Sequence, residues 1–263
     1  MNILIFIFIL PQAFERYSAS ASAAGLAYAL TASARTTEAV RFNPAGLSSI
    51  HKNHLGVGYE HLLSGIEGLH NINFTLARPF FFGGLGLEIS ETGFSEQKEQ
   101  AVTCAWGIGL NKEFKFGCSA DLYLINNART GTSFSYGLNV GLQGRVSKKW
   151  LLGFYGRNLN RPQFGGSDRG TLPYELRAGF GYTPFEDIIS EFDLSMYEDI
   201  FRIHLGTRFA LFDFLNIGVG VRTGPTVLSS GLGLEYKFLK IDYGVEYVSE
   251  LPLTHIITLN FEF

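Results

Sequence analysis

Ten charged side chains recur through the second half of the chain, interleaved with apolar residues: Arg157, Arg177, Arg202, Arg208 and Arg222, with Glu175, Glu191, Asp193, Glu235 and Asp242. Such a set can line a substrate path. It can equally pair within itself inside a narrow interior, where an unpaired charge is costly; pairing is the simpler reading. The six histidines, His51, His54, His61, His70, His204 and His255, stand at no metal-ligating spacing with cysteine or carboxylate. A surface hydrolase would need His255 beside a serine of an adjacent strand; an interfacial histidine near a strand end accounts for it more simply. Gly83-Gly84-Leu85-Gly86 and Gly231-Leu232-Gly233 are strand glycines rather than phosphate loops, because no helix follows them. Cys104 and Cys118 form no CxxC pair. They fall on the apolar face of neighbouring stretches, nearly opposite each other about the turn at Asn111–Glu113. Two small buried hydrophobes are expected, with a cross-strand disulfide open in an oxidising periplasm. No catalytic group, metal site or cofactor is expected, and a formal net charge of −3 gives nucleic-acid binding no electrostatic support.

The elements that must position these charges are strands. At the C-terminus, Leu253 to Phe263 alternates throughout. His255, Ile257, Leu259, Phe261 and Phe263 point one way, and Thr254, Thr258, Asn260 and Glu262 the other, with Ile256 the one exception. Period-2 alternation marks a strand with one apolar and one polar face, and its length matches a tilted membrane-spanning strand of ~9–11 residues. From His54 onward about fourteen such stretches follow one another, divided by turn signals. Alternate connections are short, at Arg78-Pro79, Asn111–Glu113, Ser147–Lys149, Thr183–Phe185 and Leu211–Asp213. The intervening ones, including Ile89–Gln100, Asn126–Thr132 and Asn158–Pro173, are expected to be longer. Short turns at one end and long loops at the other is the arrangement of outer-membrane barrels.

Composition agrees. Charged residues make up 17% of the chain, against ~25% in soluble domains. Aromatics reach 14%, and there are 31 glycines. A soluble sandwich would also alternate, but with Lys and Glu filling its outer face; here the polar face is mostly Gly, Ser and Asn. Closing the sheet removes its edges, as lipid demands. The expected fold is therefore all-β: a transmembrane antiparallel barrel of about 14 strands over residues 54–263, in a bacterial outer membrane and in contact with its lipid.

The amino end differs. Met1 to Leu10 is a short apolar run followed by Pro11-Gln12-Ala13, which fits a secretory signal peptide over residues 1–13, although a basic start is missing. Cleavage after Ala13 is one option, and the run Ala19-Ser20-Ala21 offers another. Residues 14–53 are expected to form a plug: Tyr17 to Ser49 is rich in Ala, Ser and Thr without alternation, as suits a segment of small side chains filling a narrow lumen. Within it, Asn43 can cap a helical turn that Pro44 opens.

Ala23-Ala24-Gly25-Leu26-Ala27-Tyr28-Ala29-Leu30, followed by Phe42 and the motif Asn43, Pro44, Ala45, Gly46, Leu47, resembles the amino end of PorV/PorQ outer-membrane proteins, relatives of the FadL-type hydrophobic-compound transporters. The matched stretch covers Ala21 to Leu47. It departs at Ser22, where the family often has Arg, and at Ala27-Tyr28, where it often has a Gly pair. The resemblance implies a fourteen-stranded barrel with this segment as a plug. It implies one of two roles: a structural or adaptor barrel with a secretion-system or periplasmic partner, as in type IX secretion, or passive transport of a small hydrophobic ligand. Short loops leave little material for extracellular ligand capture, which tips the sequence-based expectation towards the PorV/PorQ-type role.

Overall fold

The computed structural model describes residues 14, 19–62, 68–94, 97–128, 131–164 and 170–263. The expected signal peptide, residues 1–13, lies outside them. Fourteen strands follow in chain order: β1 (His54–His61), β2 (His70–Phe80), β3 (Gly83–Phe94), β4 (Gln97–Gly109), β5 (Phe114–Asn127), β6 (Gly131–Arg145), β7 (Trp150–Arg157), β8 (Glu175–Phe185), β9 (Ile188–Tyr197), β10 (Ile200–Phe212), β11 (Leu215–Arg222), β12 (Val227–Tyr236), β13 (Leu239–Val248) and β14 (Thr254–Glu262). Each pairs antiparallel with its sequence neighbours, and β1 closes on β14, from His54 opposite Glu262 to His61 opposite His255. Next to that seam, Asn53 and Phe263 exchange two backbone hydrogen bonds at 2.9 and 3.0 Å, which ties the two ends of the barrel together.

The pleat sorts the side chains. Phe74, Leu122, Phe134, Tyr136, Phe154, Phe192, Leu205, Leu232 and Ile257 are exposed on the outside. Asn71, Thr75, Glu88, Asp121, Asn139, Asp193 and Thr258 are buried within. That is the inverse of a soluble protein and the pattern a hydrocarbon surround requires. Ile256, the one apolar residue on the polar face of the last strand, packs against Ala19, Ala21 and Ala24.

Those alanines belong to the segment the barrel encloses. It contains a single turn of helix, α1 (Ala21–Ala24), a longer helix, α2 (Thr36–Phe42), and a 3₁₀ turn at Pro44–Ser49. Asn43 caps that turn as the sequence suggests, its Oδ1 accepting from the Ala45 amide at 3.2 Å with Pro44 in first position. The wall facing the plug is glycine where its backbone approaches most closely. A β-carbon on Gly117 would overlap the Pro44–Ala45 peptide, and one on Gly58 would overlap the Ala19 carbonyl. The many glycines of the polar face are therefore what lets a backbone lie directly on the wall.

Two expectations need correction. Ile89–Gln100 is not a long loop: β3 and β4 run on to Phe94 and Gln97 and leave only a two-residue connection. Alternation fades there because both faces turn polar; outside, Glu91 pairs with Lys98 at 2.9 Å and takes a hydrogen bond from Gln100 at 2.6 Å. The 17-residue connection between β7 and β8, residues 158–174, is the long one. Cys104 is exposed on the outer face and Cys118 half-buried, both as free thiols, rather than the pair of buried hydrophobes expected. Cys104 stands opposite Ala120, and Cys118 opposite Trp106.

Replacing Gly117 with leucine is expected to displace the 3₁₀ turn from the lumen. Overpacking of this kind costs ~1–3 kcal/mol. The variant should show a lower urea midpoint in detergent and a higher ion conductance in planar bilayers than the parent.

Candidate functional site

The site is the lumen, and its charges serve the plug before they serve one another. Asp193 Oδ2 accepts from the Leu30 and Thr31 amides at 3.2 and 3.1 Å and from the Thr31 hydroxyl at 2.5 Å. Arg177 joins Glu175 at 2.6 Å and Asp193 at 3.8 Å, and it donates to the Tyr28 carbonyl at 2.9 Å. Arg157 lies 3.8 Å from Glu175 and donates to the Phe14 carbonyl at 2.6 Å. Arg202 and Arg222 stack over the rings of Tyr197 and Tyr28, at 5.0 and 5.7 Å. Arg208 and Arg35 lie within electrostatic reach of Glu191. Asp242 pairs with Lys240 at 3.1 Å. Glu235 is the misplaced member: it is exposed at the end of β12, where alternation continues past the lumen.

Asn43 does more than cap. Its Nδ2 reaches the carbonyls of Thr31, Leu142 and Phe154 at 2.8, 3.0 and 3.3 Å, so one side chain stitches two parts of the plug to β6 and β7. Ala27 and Tyr28 have φ of 50° and 63°, the left-handed region that a glycine pair would hold without strain. Here the wall holds them. The Ser229 hydroxyl accepts from the Ala27 amide at 3.1 Å, and His204 Nδ1 donates to the Ala27 carbonyl at 2.8 Å.

Sequence reasoning missed two groups. Arg41, on α2, is buried between Glu88 at 2.8 Å and Asp121 at 3.3 Å. It sits in a stretch without strand pattern, so alternation could not point to it. Its proximity to β3 and β5 comes only from the fold. His204 and Ser195 form a second unforeseen pair, 2.9 Å apart on neighbouring strands and sealed behind the plug. His255, weighed earlier beside a serine, contacts the Tyr243 hydroxyl instead, at 2.7 Å on the outer face.

Near the end of the lumen opposite to the Asn53–Phe263 pairing lies an apolar patch. Phe14 packs with Ala101, Tyr123, Phe164 and Leu172. Its ring centroid is 4.7 Å from that of Tyr123 and 6.0 Å from that of Phe164. Tyr123 also anchors polar structure, its hydroxyl lying 2.7 Å from Asp121 and 2.9 Å from Asn158. Phe164 and Leu172 come from the long connection, which also completes the wall. The β6–β7 ladder runs only from Val140 to Arg145. Beyond it, the long connection covers the rest of β6: Leu159 donates to the Leu138 carbonyl, and the Asn160 side chain bonds the Leu138 amide and the Tyr136 carbonyl, all at 2.9 Å. On the outer face, a cleft of about 220 Å³ is rimmed by Trp150, Phe180, Tyr182, Phe192 and Leu205.

Neither the models of known protein families nor the curated proteins contain a match to this sequence. Solved structures do match the fold. The Pseudomonas putida toluene transporter TodX is 12% identical with a TM-score of 0.71, the match covering 93% of this chain and 98% of that one. A Pseudomonas aeruginosa FadL homologue is also 12% identical at 0.71, covering 96% and 99%. A structure described as the CymD monoaromatic hydrocarbon channel is 12% identical at 0.69, covering 94% and 98%. The chain shares the outer-membrane barrel fold of these structures. Two of these neighbours are described as a toluene transporter and a monoaromatic hydrocarbon channel.

Arg41→Gln leaves Glu88 and Asp121 buried without their cation, a loss of ~3–5 kcal/mol for a broken buried pair. Lys52→Gln breaks the exposed pair with Glu262 and should cost ~0–1 kcal/mol. Urea midpoints of the two variants in one detergent compare these values directly.

Proposed function

We propose that this protein passes a small hydrophobic compound, a monoaromatic ring being the best-fitting class, passively across the outer membrane. One observation carries the reading. An aromatic side chain of the plug, Phe14, occupies a slot of apolar and aromatic side chains from the wall and the long connection. Phe14 is in effect a tethered model of the ligand. The toluene and hydrocarbon channels that share the fold support the same class, and they favour transport over the PorV/PorQ-type adaptor role that the sequence motif suggested.

The plug blocks a straight axial path. The side wall offers another. The connection over residues 158–174 contributes Phe164 and Leu172 to the slot and also seals β6 where β7 is too short to do so. Among the described residues that seal consists of one backbone bond, the side chain of Asn160, and the bonds of Asn158 to Asn139 and of Ser135 to Gln163, rather than a strand ladder. Shifting it opens the slot sideways towards the membrane, the direction a hydrophobic solute favours.

The test is toluene uptake into liposomes carrying the protein, with Cys104 and Cys118 replaced by serine. Uptake should exceed that of empty liposomes, and a small sugar should not enter. A disulfide between Leu138→Cys and Leu159→Cys should abolish uptake, and reduction should restore it. Toluene entry equal to that of empty liposomes would overturn the transport reading. Uptake unchanged by the disulfide would overturn the side route.

A further inference from the structure

Phe14 is held by every group it offers. Its ring fills the apolar slot, and its carbonyl receives the Arg157 guanidinium at 2.6 Å. Its backbone nitrogen donates to Glu99 Oε2 at 2.8 Å. Two features of this arrangement are relieved at a chain end. First, its φ is 60°, which for a bulky aromatic is a genuine outlier. Second, the Glu99 carboxylate is half-buried and, among the described residues, is met only by neutral donors, the Phe14 amide and Gln97 Nε2 at 3.2 Å. A carboxylate withdrawn from water is ordinarily paired with a cation.

Both features resolve if the chain begins here. The first residue of a chain has no preceding carbonyl, so its φ ceases to exist as a strained torsion. Its nitrogen is then an ammonium, which places a positive charge at the atom already in contact. The sequence immediately upstream is the ten-residue apolar run and Pro11-Gln12-Ala13, with a small residue at the junction.

We propose that the Ala13–Phe14 bond is the processing site, and that the α-ammonium released on Phe14 forms an ion pair with Glu99 that seats the plug. Water adds across the peptide bond: Ala13 takes the hydroxyl as its new carboxylate, and the Phe14 nitrogen takes protons to become an ammonium. No co-reactant beyond water and a signal-peptide hydrolase is needed. The precursor offers Glu99 only a neutral amide, so the plug locks fully only after the leader is removed. The inference stands apart from what crosses the lumen and would hold equally for an adaptor barrel.

The experiment is N-terminal sequencing and intact-mass measurement of the full-length gene product extracted from outer membranes. A chain starting Phe14-Glu15-Arg16-Tyr17 is expected; a chain that retains Met1, or starts at Ser22 or any other residue, overturns the proposal. The ion pair is read separately, by the rate at which an amine-acylating reagent modifies the α-amino group near neutral pH. One unit of pKa is a tenfold change in the reactive fraction, so Glu99→Gln should raise the rate about tenfold. Equal rates in the parent and the variant would remove Glu99 from the proposal.

Discussion

The structure depends on how closely a backbone can lie against a β-sheet wall. The wall of a barrel this size has no spare depth. A plug can cross its lumen only where both surfaces give up their side chains. Here the plug contributes alanine, serine and glycine, and the wall contributes glycine at the points of nearest approach. The usual objections to glycine in strands are its entropy and its lack of a side chain to pack. The neighbouring ladders and the plug itself offset both. Without that clearance, α1 and the 3₁₀ turn would have no place in the lumen, and their buried backbone groups no partners.

Those backbone groups explain the polarity of the wall. A plug with few side chains of its own exposes its peptide groups, and each buried one needs a partner. The lumen supplies them from Asp193, Arg177, His204, Ser229 and Gln143. The charges remain tolerable because several pair as they do this: Arg177 touches both Glu175 and Asp193 while holding the Tyr28 carbonyl. Apolar clusters lie among these polar groups, and the one around Phe14 and Tyr123 joins an aromatic of the plug to aromatics of the wall and the long connection.

The number and order of the strands were legible because one face of each meets hydrocarbon, and that imposes alternation regardless of what the other face does. Ile256 broke the rule in sequence and is explained by the alanines it covers. The β3–β4 hairpin was misjudged because it leaves the apolar zone, where Glu91 and Lys98 on the outer face erase the signal. Glu235 was placed in the lumen for the opposite reason, since its strand goes on alternating at its exposed end. In the plug, Asn43 and Pro44 announced a capped turn, because capping is local chemistry. The ion pairs of Arg41, and the left-handed Ala27 and Tyr28, depend on partners far away in sequence, and no pattern of residue types within the segment encodes them.

The central claim is that residues 19–50 are packed inside the barrel as firmly as the strands around them. Amide hydrogen exchange on the protein in micelles measures this without altering a residue. The amides of Ala21, Gly25, Thr31, Ala39 and Gly46 should exchange as slowly as those of β4 and β13. If they exchange at the rate of free chain while the strands stay protected, the plug is not seated, and the account of the lumen built on it fails.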